Sequence, residues 1–167
     1  DSVGVIPGPY HDIDVSPDGQ RVYTSCRGTP QEGTACVIRV ADRQVDRILL
    51  GVEGSGVAVT PDGQYVFVSG CDPPLEHNVV CVIRTSDNMV VQCIPVGLQP
   101  DGIIDASPDG RYVYVPNYYS NTVSVIVTDN CPPATSTPTP TAPPPPPFVD
   151  DMSGSLIPHY AVHAVPI

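Results

Sequence analysis

Apolar and polar side chains alternate along most of the chain. Short runs rich in Val and Tyr, "RVYTS", "YVFVS" and "YVYVP", each lie just after a Pro-Asp-Gly triplet. A period of two and an excess of β-branched and aromatic residues are typical of β-strands. Nothing in the sequence has helical periodicity over a useful length. The pattern therefore predicts an all-β fold.

The Pro-Asp-Gly triplets mark three copies of one repeat. They begin at Pro17, Pro61 and Pro108, so their spacings are 44 and 47 residues. In each copy an apolar strand leads to the triplet, where Pro presets φ and Gly supplies a positive φ for a turn. A second strand, a variable loop, and third and fourth strands follow. Repeats of this length with four antiparallel strands are typical of β-propeller blades.

Both ends of the chain continue this pattern. "DSVGVIPG" resembles the fourth strand of a preceding unit, and "PHYAVHAVP" has the eight-residue proline spacing of a first strand. We therefore expect three full blades with an orphan strand at each end. Propellers usually need at least four blades, so further blades or other copies of the chain are the expected partners. The sequence starts at Asp1 with no visible signal peptide, and we expect a processed form or a fragment.

The chain divides into three segments. Residues 1–130 hold the predicted blades, and residues 131–148 form a Pro/Thr-rich insert between the third and fourth strands of blade three. Residues 149–167 should contain the fourth strand of blade three and the first strand of a next blade. The repeat predicts that the insert lies at the rim of the propeller.

The third copy, "RYVYVPNYYSNTVSVI", resembles the YVTN family of β-propeller repeats. That family has a strand rich in tyrosine and valine, a loop with Asn, and a "TVSVID"-like strand. The first two copies match on "SPDG" or "TPDG" and on the second strand, but their loops are longer. The resemblance covers about residues 1–130 and implies the propeller fold. It leaves the function open, because such propellers include surface-layer proteins, lactonase-like enzymes, and periplasmic binding or redox domains.

Four of the six cysteines occupy equivalent positions in the repeat. Cys26 and Cys36 flank the first variable loop, ten residues apart, and Cys71 and Cys81 flank the second loop at the same separation. Opposed residues of hairpin strands lie within bridging range. We therefore predict two disulfides, Cys26–Cys36 and Cys71–Cys81.

Cys93 and Cys131 remain. Neighbouring rim positions predict a Cys93–Cys131 bond, with a bond to another chain as the alternative. No CxxC-like spacing indicates a metal site. Disulfides persist outside the cytosol, so we expect a secreted protein that is extracellular or on the cell surface.

The segment from Cys131 to Pro147, "CPPATSTPTPTAPPPPP", contains nine prolines among its 17 residues. It predicts a polyproline II rod of about 50 Å at ~3.1 Å per residue, with a flexible linker as the alternative. Its Thr-Pro and contiguous Pro runs resemble the hydroxyproline-rich glycoproteins of plant and green-algal walls. That resemblance implies hydroxylation and covalent O-glycans. The candidate positions are Pro132, Pro133, Thr135, Ser136, Thr137, Pro138, Thr139, Pro140, Thr141, Pro143, Pro144, Pro145, Pro146 and Pro147.

Charge excludes several classes of function. The formal net charge is −11, and all seven cationic side chains are Arg. Without Lys, Schiff-base chemistry and phosphate-binding lysines are excluded. An acidic chain with no basic cluster repels nucleic acid and anionic membranes. No apolar segment is long enough to cross a bilayer, so we expect neither nucleic-acid binding nor membrane insertion.

Few residues suggest chemistry. His11, Asp101 and His159 fall near the starts of innermost strands, where side chains surround the channel mouth of a propeller. Several blades could place them on a metal, but no two have a fixed ligand spacing. We interpret them as channel-mouth polar residues bonded to backbone or water. We expect no catalytic residue, metal or cofactor in this sequence.

Three functions are compatible with these features. The favoured one is an extracellular structural or scaffold protein, a propeller unit of a cell-surface, cell-wall or filamentous glycoprotein assembly. In such an assembly, orphan strands pair with a neighbouring unit. The alternative is an extracellular module that binds glycan or protein. A second alternative is a lactonase-like hydrolase whose site lies outside this sequence. Unless the chain is part of such a longer propeller, we expect that it is not an enzyme.

Overall fold

The structure consists of four-stranded antiparallel sheets. It is a computed structural model that describes residues 10–26, 33–72, 77–128 and 160–166. These residues form three sheets, and in each sheet the strands pair in chain order. No helix occurs among them. Up-and-down sheets of this kind are propeller blades, and the predicted all-β propeller fold is confirmed.

The strands of the three blades have the following bounds. Blade one contains β1 (Tyr10–Val15), β2 (Arg21–Cys26), β3 (Thr34–Arg39) and β4 (Val45–Leu49). Blade two contains β5 (Glu53–Val59), β6 (Tyr65–Asp72), β7 (His77–Arg84) and β8 (Met89–Pro95). Blade three contains β9 (Asp105–Ala106), β10 (Tyr112–Asn117), β11 (Thr122–Thr128) and β12 (Tyr160–Pro166). The first strand of each blade leads into a Pro-Asp-Gly turn and is the innermost strand.

The assignment of β12 corrects the sequence analysis. The segment "PHYAVHAVP" was expected to begin a next blade, but β12 pairs with β11 from Thr122 opposite Pro166 to Thr128 opposite Tyr160. It is therefore the fourth strand of blade three. First and fourth strands are both edge strands with the same alternation, so the pattern alone does not distinguish them. The expected N-terminal orphan strand (residues 1–8), the insert (131–148) and the expected fourth strand after it (149–158) lie outside the described residues.

The Pro-Asp-Gly turns share a hydrogen-bond network. Ser16 Oγ donates to Asp18 Oδ1 at 2.6 Å, and the same oxygen accepts from the Gln20 amide at 3.0 Å. The same hydrogen bond from hydroxyl to carboxylate joins Thr60 to Asp62 and Ser107 to Asp109.

These bonds assign a structural role to the turn carboxylates. The hydroxyl hydrogen bonds lower the pKa of both Asp18 and Asp109 below the usual carboxyl range. Their contribution to stability is therefore present above the unfolded pKa of about 4 and is lost as the pH falls through the lowered folded value.

The first disulfide joins Cys26 on β2 to Cys36 on β3, the pair predicted from the sequence, with a Cα–Cα distance of 5.8 Å. Cys26 lies opposite Thr34, and Cys36 is two residues beyond that partner. An even offset leaves both side chains on the same face of the sheet. The bond therefore runs diagonally across the hairpin.

The second disulfide joins Cys81 to Cys93, so the predicted Cys71–Cys81 and Cys93–Cys131 pairings are wrong. Cys81 and Cys93 lie directly opposite one another on β7 and β8. Cys71 lies opposite Asn78, which is three residues from Cys81. An odd offset places Cys71 and Cys81 on opposite faces of the sheet. Cys131 lies outside the described residues.

Two apolar cores fill the spaces between neighbouring blades. Successive residues of β6 point to opposite faces, so Val66 and Val68 enter the core shared with blade one, and Phe67 enters the core shared with blade three. All three side chains are buried. Blade two is therefore covered on both faces.

Candidate interaction faces at the two end blades

The residues expected at the channel mouth do not form one cluster in the described structure: His11 lies on β1, and Asp101 lies in the segment before β9. Asp101 Oδ1 accepts hydrogen bonds from Ser55 Oγ at 2.8 Å and from the Gly102 amide at 2.9 Å. It therefore links blade two to the segment that enters blade three. His11 is exposed on β1 of blade one. His159 lies outside the described residues.

The described ranges contain neither a cluster of metal ligands nor a membrane-spanning helix. No three His, Cys, Asp or Glu side chains there lie close enough to hold a metal ion. No helix in those ranges is long and apolar enough to cross a membrane.

Asp12 and Asp14 connect blade one to blade two, a role that the sequence analysis missed. Asp12 Oδ2 accepts from the Val57 amide at 2.8 Å, and Asp14 Oδ2 accepts from the Val59 amide at 2.7 Å. Both amides lie on β5, an edge strand whose outward N–H groups need acceptors. The run "DID" was the available signal, because it places two carboxylates on the face opposite Ile13.

Asp14→Ala should lower the free energy of unfolding by about 1 kcal/mol, because the Val59 amide loses its acceptor. Asp14→Asn should keep most of the stability, since its side-chain oxygen still accepts. Urea unfolding at neutral pH measures both variants. Asp46→Ala is the control, because Asp46 is an acidic residue of an edge strand, β4, and is exposed where Asp14 is half-buried. Equal losses for Asp14→Ala and Asp46→Ala would contradict this role.

Blade one exposes apolar side chains on the face that points away from blade two. Ile13 is 63% exposed, whereas Val57 and Ile104, four residues before the triplet in their own copies, are 3% and 2% exposed. Val15 follows the same rule, because it is exposed while its equivalent Val59 is buried. Val57 and Ile104 are buried because each packs in the core shared with the preceding blade. The outer face of blade one is therefore an interblade face without a covering blade in the described structure.

Blade three shows the matching feature on its own outer face. Tyr114 is 43% exposed, whereas Tyr23 and Phe67 at the same repeat position are 1% and 0% exposed. Tyr23 packs in the core between blades one and two, and Phe67 in the core between blades two and three. Val125 lies opposite Tyr114 on β11 and extends this face. In the first two blades the equivalent aromatic is covered by the next blade.

The blade architecture defines the chain as a β-propeller protein. No protein-family model matches it. Hydrazine synthase of Kuenenia stuttgartiensis has a similar structure, with a TM-score of 0.60 and 21% identity, covering 72% of this chain and 46% of that chain. A putative 6-phosphogluconolactonase of Bacteroides fragilis also has a TM-score of 0.60, with 20% identity, covering 76% of this chain and 37% of that one. At these identities the similarity shows the fold alone.

A curated protein is similar to this chain in sequence. Antigen Lp49 of Leptospira interrogans is 32% identical to this chain over 83 residues. The match covers 44% of this chain and 18% of that protein. The chain therefore spans less than a fifth of the length of this curated relative.

Proposed function

We propose that the chain is an extracellular structural module, a propeller unit of a cell-surface, cell-wall or filamentous assembly. The observation that carries the proposal is the exposure of Ile13 and Tyr114, whose repeat equivalents are buried between blades. Exposed apolar faces of this kind mark interaction sites. The function is then to be incorporated into an assembly through the end blades, a structural rather than a catalytic role.

An oxidising, extracellular compartment is supported by two lines. The described residues contain two disulfides, Cys26–Cys36 and Cys81–Cys93, and such bonds persist where thiols are not kept reduced. The relative in Leptospira is named an antigen, in keeping with exposure at a surface.

The Pro/Thr-rich insert has a role within the same proposal. The insert, residues 131–148, would be a hydroxylated, O-glycosylated polyproline II spacer at the rim of blade three. The repeats would belong to the YVTN type, on the residues "YVYVPNYYSNTVSVI". A spacer at the rim would leave the end faces uncovered and able to dock.

The proposal is tested on the native protein from its source. Antibodies against the chain should label intact cells as strongly as permeabilised ones. The intact mass should exceed 17.6 kDa and fall in sugar-sized steps on chemical deglycosylation. Labelling only after permeabilisation would overturn the extracellular role. A mass of 17.6 kDa before deglycosylation would overturn the glycosylated spacer alone.

A further inference from the structure

The two end faces are the outer face of blade one and the outer face of blade three. They correspond to the two sides of the contact that neighbouring blades make within the chain. We propose that blade three of one copy docks on blade one of a second copy, and that two such junctions close a six-bladed ring. The inference rests on the proposed function and names its partner, which is a second copy of this chain. Each junction would reuse a contact that the chain already makes twice, between blades one and two and between blades two and three.

The apolar complementarity follows from the repeat. Within the chain, the aromatic residue on the second strand of one blade and the aliphatic residue on the first strand of the next blade enter the same core. Tyr23 and Val57 share the first core, and Phe67 and Ile104 share the second. Continuing that order pairs Tyr114 with Ile13 of a second copy, the two residues that the single chain leaves exposed.

The polar complementarity repeats the contact between blades one and two. There, Asp14 on the first strand accepts a hydrogen bond from the Val59 amide of the following blade. Asp105 holds the position of Asp14 in blade three, because both precede their triplet by three residues and lie opposite the aromatic residue of the second strand. Asp105 is exposed, so its carboxylate is available to an incoming first strand. The equivalent amide on a second copy belongs to Val15, which in the single chain donates to its neighbour Asp14 Oδ1 at 2.7 Å. On docking, this exposed amide would exchange that local acceptor for Asp105.

The number of blades favours a second copy as the occupant. The described residues form three blades, so two copies would contribute six of them, within the range of four to eight blades that closed propellers use. Junctions between unlike faces give a closed ring where the rotation completes a circle, and an open fibre where it does not. A ring that closes with two copies therefore predicts one particular mass, that of a dimer.

Sedimentation equilibrium of the purified 167-residue chain tests this claim. The expected mass is twice 17.6 kDa at about 100 μM chain. Ile13→Glu and Tyr114→Glu should each weaken association at least ~100-fold, because each places a charge in both apolar junctions. Tyr118→Glu is the matched control, because Tyr118 is exposed on the turn between β10 and β11, and should leave the dimer intact. Cooperative thermal unfolding of each variant shows that it is folded.

Mixing the two Glu variants separates unlike-face docking from a like-face dimer. An equimolar mixture of Ile13→Glu and Tyr114→Glu chains contains one junction with both native faces, so it should regain part of the dimer that neither variant forms alone. A wild-type monomer, an open polymer, or a dimer unaffected by either substitution would each overturn the inference. None of these results bears on surface location, so the extracellular role would be judged separately by the antibody experiment.

Discussion

Phe67→Ala should have the largest effect of the substitutions proposed for this protein, with an expected loss of about 3–5 kcal/mol in the free energy of unfolding. Phe67 is completely buried in the core between blades two and three. Removal of the ring leaves a cavity between two sheets. Hydrogen bonds between the strands keep each sheet stiff, so the sheets close only partly around the cavity. Chemical unfolding followed by circular dichroism measures the loss.

Two companion variants define the cause of that loss. Phe67→Leu, which refills most of the cavity, should cost less than half as much as Phe67→Ala. Tyr119→Ala, on an exposed aromatic of the turn between β10 and β11, should stay within about 0.5 kcal/mol of the wild type. If Phe67→Ala resembled Tyr119→Ala, the packing of blade two against blade three would be refuted.

Loss of the Cys81–Cys93 disulfide should have the second largest effect. The double variant Cys81→Ala/Cys93→Ser should lose about 2–4 kcal/mol under oxidising conditions, because the unfolded chain regains the freedom of the closed loop. Differential scanning calorimetry of the wild type and the variant measures the change in unfolding temperature.

Peptide mapping under non-reducing conditions identifies the bond directly. A linked pair of peptides should contain Cys81 and Cys93 in the wild type and also in Cys71→Ser. Recovery of a Cys71–Cys81 pair instead would reinstate the pairing first predicted from the sequence. It would also require β6 and β7 to shift by one residue relative to one another.

The strands of the blades were predictable because their signals are local. A Pro-Asp-Gly turn followed by a run such as "YVFVS" determines the hairpin by φ preferences and alternation alone, and the structure places β5 and β6 on either side of that turn. The last strand was not predictable in this way. Its partner is decided by which sheet edge is free to pair, which is a property of the folded chain.

The cysteine pairing shows the same division. Cys26–Cys36 and Cys71–Cys81 have identical separations in the sequence, yet only the first is a disulfide. The difference is the hairpin register, which offsets the first pair by two residues and the second by three. Register depends on the conformation of each variable loop, and no residue pattern in the loops revealed it.

The end faces required both sources of information. Alignment of the three copies identifies Tyr23, Phe67 and Tyr114 as equivalent from the sequence alone. Only the structure shows that the first two are buried and the third is exposed. The exposed member of an otherwise buried set therefore indicates the face, which composition and charge did not reveal.

The Cys81–Cys93 bond also determines how blade two would respond to tension. A pull along the polypeptide would first peel the outer strand β8 away from β7, since the chain leaves blade two from that strand. The covalent link stops this separation of the strands, and the chain between two cysteines that are 12 positions apart cannot extend. At roughly 3.4 Å per residue, about 40 Å of chain length stays stored under load until the bond is reduced. The maximum extension of blade two under force would thus depend on whether its surroundings keep this disulfide oxidised.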